Sequence, residues 1–215
     1  MIRNVSDLGM FRRFLKLAAG RVGQLMDLSS LGADVGITHN TARDWIGVLE
    51  AGFIAFRVAP YFKNFSKRLI KSSKLYFYDT GVLCRLLGVR EAAELVQHPQ
   101  RGSIFENWCV VESMKWYLNR GESPELYFWR DQQTKVDLLL SLSSGALAVL
   151  ECKSSMTPVS EFLDSPKKFK GFAKSVNVFP GAVYGGEATQ SRSDGPILSW
   201  RHFITAVAEM ANTPS

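Results

Sequence analysis

Residues 136–155 read VDLLLSLSSGALAVLECKSS. Two apolar runs, Leu138 to Leu140 and Ala146 to Leu150, flank a Ser143-Ser144-Gly145 turn signal, and each is as continuous as a strand buried on both faces. The pattern predicts an antiparallel hairpin inside a sheet. Three charges interrupt it: Asp137 near one end, Glu151 and Lys153 near the other. Asp137 and Glu151 stand at matched distances from the turn, so both reach one end of the sheet. Period-two alternation puts Glu151 and Lys153 on one face.

Charges in such a place are costly unless paired or metal-bound. Two carboxylates beside an ammonium suit Mg²⁺ or Mn²⁺ next to a phosphate. Asp137 and Glu151 are the expected ligands, and Lys153 the group that orients water or steadies charge on the phosphate. The competing explanation is a pair of strand-end surface ion pairs, worth little. The apolar runs around these charges favour the metal.

Outward from the hairpin, GSIFENWCVVESMKWYLNRG reads as a long helix, and ELYFWRD as a strand before the hairpin. A helix over PVSEFLDSPKKFKGF, a strand near SVNVFPGAVYGG and a closing helix over SWRHFITAVAEM follow. The core order is α-β-β-β-α-β. A polar Pro/Gly-bearing stretch, HPQRG from His98 to Gly102, marks a boundary, so two domains are expected at 1–98 and 99–215.

The N-terminal part has a different pattern. Leu8, Phe11, Leu15, Ala18 and Val22 recur at helical spacing behind Ser6 and Asp7. A short helix near Leu28 to Val35 ends at Gly36; a second opens at the N-cap Thr38, carries Ala42, Trp45, Ile46 and Leu49 on one face, and stops at Gly52. Strands are expected at Phe53 to Val58 and over KLYFYD, with two short helices over TGVLCRLLGV and EAAELVQ. Helix, turn, helix and hairpin in this order predict a winged helix-turn-helix. The loop APYFKNFSKRLIKSS between the strands bears Lys63, Lys67, Arg68 and Lys71, with Lys74 just beyond and no acid within it. Such a wing can lie along phosphates, and Asn40 and Arg43 of the second helix can reach base edges. The single cation on that helix equally suits a protein contact.

Composition bounds the rest. In 215 residues, 46% hydrophobic with 12% aromatic, there is ample material for packed cores. A net charge of +6 favours a polyanionic partner. Cys84, Cys109 and Cys152 are far apart, which excludes a disulfide frame or zinc spacing and predicts reduced thiols in a cytoplasmic protein. No membrane segment or signal-peptide pattern is found. His39, His98 and His202 are isolated, and no G-x-x-x-x-G-K-[ST] loop offers a nucleotide site.

The spacing D-x₁₃-E-x-K after a helix resembles the PD-(D/E)XK nuclease superfamily, with its restriction-endonuclease-like fold. More specifically, the chain resembles a domain of unknown function, family 4143, that follows AAA-type ATPase cores. The resemblance rests on PYFKNFSKRLIKSSKLYFYDTG, the G-x-x-F-E-N helix, YFWRD, V-D and E-x-K, in order. It implies Glu106 as a third acid of the metal site. The glutamate's other explanation is a favourable place near a helix start. IRNVSDLGMFRRFL resembles the linker after the ATPase, which implies an ATPase partner missing from this chain. The expected function is metal-dependent DNA processing, an endonuclease-type phosphodiester hydrolysis; the alternative is a non-catalytic DNA-binding or protein-interaction module on the same folds.

Overall fold

The structure, a computed structural model, describes residues 7–61 and 72–212. The chain is mixed α/β and forms two units: residues 7–58 with 72–107, and residues 59–61 with 108–212. Among the described residues no helix is long and apolar enough to cross a membrane.

In the first unit, α1 (Leu8–Ala19), α2 (Leu28–Val35) and α3 (His39–Ala51) each begin at a side chain that satisfies an orphan backbone donor. Asp7 accepts from the Met10 amide at 2.9 Å, Asp27 from Ser30 at 2.9 Å, and Thr38 from Thr41 at 3.1 Å. Gly36, at φ +91°, ends α2 in the left-handed conformation that a side chain would strain. Phe11 and Phe14 pack edge-on against Trp45, each with ring centroids 5.3 Å away, over a core of Ala18, Leu31, Ala42, Ile46 and Leu49. The periodicity and caps predict α2 and α3 closely, whereas α1 ends at Ala19 and Val22, expected on its apolar face, is buried in the turn beyond it.

The strand β1 (Ala55–Pro60) starts later than expected. The amides of Phe53 and Ile54 donate to Glu50 and Leu49, so the end of α3 uses those two residues. Residues Ala55 to Val58 pair antiparallel with β2 (Lys74–Phe77), and Leu25 bridges to Lys74. Two short helices, α4 (Thr80–Leu86) and α5 (Ala92–Gln97), follow, then the long α6 (Arg101–Leu118). This helix starts at the expected polar boundary, but the division between units falls within it, after Asn107.

In the second unit the sheet comprises β3 (Leu126–Arg130), β4 (Lys135–Ser141), β5 (Leu147–Lys153), β6 (Val178–Tyr184) and β7 (Ile197–Ser199). The strands β3, β4 and β5 are antiparallel neighbours; β6 and β7 add in parallel. Ala59 and Pro60, the last residues of β1, pair in parallel with β3, so the hydrogen-bonded order within this unit is β1-β3-β4-β5-β6-β7. Between β5 and β6 a 3₁₀ turn (Ser160–Leu163) leads into α7 (Asp164–Phe172), and α8 (Phe203–Ala211) follows β7. Phe169 of α7 is fully buried in a cluster with Trp129, Val136, Leu139, Leu147, Val149 and Val178. Leu138, Leu140, Ala148 and Leu150 are fully buried too, so the central hairpin is covered on both faces. The three-residue β7 has no counterpart in the expected order.

Candidate metal and phosphate site

The hairpin turns where its Ser-Ser-Gly signal predicts: Gly145, at φ +78°, donates to the Leu142 carbonyl at 2.8 Å. From there the register runs Ser141–Leu147, Leu140–Ala148, Leu139–Val149 and Leu138–Leu150. One residue beyond the last pair stand Asp137 and Glu151, and two further stand Lys135 and Lys153. The matched distances from the turn thus reappear in the register.

A local irregularity shapes the site. Tyr127 of β3 pairs with Leu139, but Trp129 pairs with Val136, so a two-residue step on β3 faces a three-residue step on β4. The extra residue falls at Asp137–Leu138. A bulge of this kind bends the strand and re-aims a side chain. Here the Asp137 carboxylate turns toward β5, where its Oδ2 accepts from the Cys152 amide at 3.1 Å. The register shift leaves no signal in the sequence.

Burial of the two acids is nearly complete, with 4% of Asp137 and 3% of Glu151 exposed. Glu151 Oε1 accepts from Lys153 Nζ at 2.8 Å. The other oxygens, Asp137 Oδ1 and Glu151 Oε2, are buried without a hydrogen-bond partner. Burial, reinforced by the neighbouring Asp137 charge, pushes the Glu151 carboxyl up from its ordinary 4.5 to about 7, against the opposing pull of Lys153. On the lysine side burial disfavours the charge, but the hydrogen bond and charge of Glu151, with Asp137 behind it, outweigh it, and the Lys153 pKa is raised. A buried oxygen pair short of partners, beside a held ammonium, is a donor set that fits a hard divalent cation.

One participant is absent from the expected set. Lys135 Nζ lies 3.8 Å from Asp137 Oδ1, with its side chain 62% exposed. The signal was available: Lys135 precedes Asp137 by the same two residues by which Lys153 follows Glu151.

Glu106, the implied third acid, has partners of its own in the first unit. Its Oε1 accepts from Lys74 Nζ at 2.8 Å and from the Tyr76 hydroxyl at 2.6 Å. Lys74, expected among the wing cations, is 7% exposed and spends its charge on this internal pair instead of on the surface. The neighbouring Asn107 is fully buried; its side chain accepts from the Phe77 amide at 2.8 Å and donates to the Phe77 carbonyl at 3.1 Å. The E-N pair of the G-x-x-F-E-N helix therefore ties α6 to β2. Among the described residues no group of three or more His, Cys, Asp or Glu side chains stands together as a metal set.

Of the other expected nucleic-acid contacts, Asn40 and Arg43 are exposed at the start of α3, where Arg43 stands 3.8 Å from Asp44. Lys63, Lys67, Arg68 and Lys71 lie outside the described residues. Asp131, next to the exposed Arg130, accepts from the amides of Gln133 and Thr134 at 2.8 and 2.7 Å and shapes the turn into β4. None of the three cysteines is in a disulfide.

Residues 101–203 match the model of a family described as domain of unknown function DUF4143, and residues 1–93 match a second, domain of unknown function DUF8612. Uncharacterized proteins of Mycobacterium bovis and Mycobacterium tuberculosis are each 32% identical over 187 residues, 83% of this chain. The chain spans 41% of the length of each of these curated relatives. No solved structure matches significantly. The two matched regions meet between residues 93 and 101, and the candidate site falls wholly within the DUF4143 match.

Proposed function

We propose that the second unit is a metal-dependent phosphodiester hydrolase of the PD-(D/E)XK nuclease type, and that the first is a winged-helix module that holds nucleic acid, most simply DNA. The observation that carries the reading is the pair of buried carboxylates, each with one oxygen lacking a hydrogen-bond partner, beside Lys153. Asp137 and Glu151 would hold Mg²⁺ or Mn²⁺. The bound ion would supply charge neutralisation at a phosphate and a more acidic water. Lys153, held by Glu151 and partly exposed, would face a reacting phosphate or its attacking water and favour the negative charge that builds there. Two protein carboxylates suffice for Mg²⁺ when waters and a substrate phosphate complete its shell.

The winged-helix reading is supported by the order α1, α2, α3, β1, β2, by the bridge from Leu25 to Lys74, and by the exposed start of α3. A wing cation set of Lys63, Lys67, Arg68 and Lys71 would meet phosphates without regard to sequence. The relatives' greater length accommodates an AAA-type ATPase, which we propose as the partner in cis or in trans. Thiols outside disulfides suit a cytoplasmic setting. A second reading, a non-catalytic binding module, is favoured by the engagement of Glu106 with Lys74 and Tyr76, which gives that acid a structural role.

Cleavage decides between the two. With Mg²⁺ or Mn²⁺ the chain should nick single-stranded, duplex or branched DNA, and chelator should stop it. Glu151→Gln should lower both metal binding and turnover, and Lys153→Ala turnover more than metal binding. A contaminating nuclease would ignore both substitutions. Intact substrates together with no divalent-ion binding would establish the binding-module reading instead.

A further inference from the structure

The two lysines of the site are not equivalent. Lys153 is bonded to Glu151 at 2.8 Å with its side chain 36% exposed, whereas Lys135 stands 3.8 Å from Asp137 Oδ1, beyond hydrogen-bond length, and is 62% exposed. Lys135 therefore lies at the mouth of the site, near a buried oxygen that has no hydrogen bond. The bulge at Asp137 sets that oxygen where an ammonium on the same strand, two residues away, can lean over it.

We infer that Lys135 is a built-in competitor for the Asp137 oxygen that a divalent ion would take, and that on displacement its ammonium becomes a contact for a phosphate. The inference rests on the metal-site reading above. Charge supports the exchange. Asp137 and Glu151 with Lys135 and Lys153 are formally neutral, so an incoming divalent ion leaves the site positive and draws a polyanion. An exposed lysine on a flexible four-carbon stem loses little by swinging outward, and its three donors suit a phosphate oxygen. Lys153, bonded and less exposed, is the poorer candidate for such a move. The structure thus divides the labour: one ammonium stays, one yields.

The test uses the full chain as wild type, Lys135→Met, Lys135→Gln and Lys135→Arg, each checked for folding by circular dichroism. Calorimetric titration with Mn²⁺ at low salt should find Lys135→Met and Lys135→Gln about tenfold tighter than wild type, and Lys135→Arg unchanged; screening should narrow the gap at high salt. A labelled oligodeoxynucleotide in Ca²⁺ should bind the Met and Gln variants several-fold more weakly, although they hold the ion better. That opposite movement is the signature of the exchange, because loss of a merely structural lysine would not improve ion binding. Equal or weaker Mn²⁺ affinity in both neutral variants would overturn the inference while leaving the metal site intact. Binding in the neutral variants but not in wild type would uphold it in its strongest form. No binding in any of them would remove the metal-site reading, and the inference with it.

Discussion

Glu151 makes the site testable without any substrate. Its carboxyl is pushed up from 4.5 to about 7 by burial and by Asp137, so between those values the folded chain retains a proton that the unfolded chain has released. Stability falls as pH rises through this window and levels off above about 7. At about 1.4 kcal/mol per unit, the full effect is about 3 kcal/mol. Glu151→Gln removes the titrating group and keeps its shape, so it should abolish this part of the slope. The assay is urea unfolding in chelator at pH 4.5, 6 and 8, followed by tryptophan fluorescence; four of the five tryptophans, Trp108, Trp116, Trp129 and Trp200, lie in the second unit. Wild type should lose about 3 kcal/mol more than Glu151→Gln between pH 4.5 and 8, and millimolar Mg²⁺ should return much of it at pH 8 by binding the folded state. Equal pH slopes in the two proteins would mean that the buried Glu151 carries no ionisation penalty, the opposite of what its burial beside Asp137 requires.

Phe169→Ala should cost about 3–5 kcal/mol in equilibrium unfolding of the second unit, since its ring is fully buried against the hairpin face. Glu106→Ala leaves the Lys74 ammonium buried without this acid and should cost about 3 kcal/mol, read as a lower melting temperature, with the first unit affected most. Charge reversal at Lys67, Arg68 and Lys71 should weaken DNA binding across sequences and flatten its dependence on salt, measured by anisotropy titrations at several ionic strengths; unchanged affinity at low salt would assign the loop to another partner.

Much of this architecture is written in local patterns. Caps at Asp7 and Thr38, the left-handed Gly36 and the Ser-Ser-Gly turn are chemical instructions that act within a few residues, and the helices and the hairpin follow them. The carboxylates could be located for a similar reason: a charge inside a continuous apolar run is conspicuous. Elements set by distant partners were not legible. The strand Ile197–Ser199 is too short for periodicity and exists because β6 offers it an edge. The bulge at Asp137 depends on β3, and nothing in VDLLL marks it. Lys74 reads as a cation beside the wing and Glu106 as an implied metal ligand until β2 and α6 bring them together. The resemblance implied a role for Glu106, whereas its neighbours give it a different partner set.

A calorimetric titration of the full chain with Mn²⁺ at pH 8, against Asp137→Asn and Glu151→Gln, tests whether the two buried carboxylates hold a divalent ion. Wild type should show one site per chain, its affinity reduced at least tenfold in each variant, with the ion-binding enthalpy lost or much diminished. Absence of binding in wild type, or equal binding in all three, would rule out an ion site built on Asp137 and Glu151.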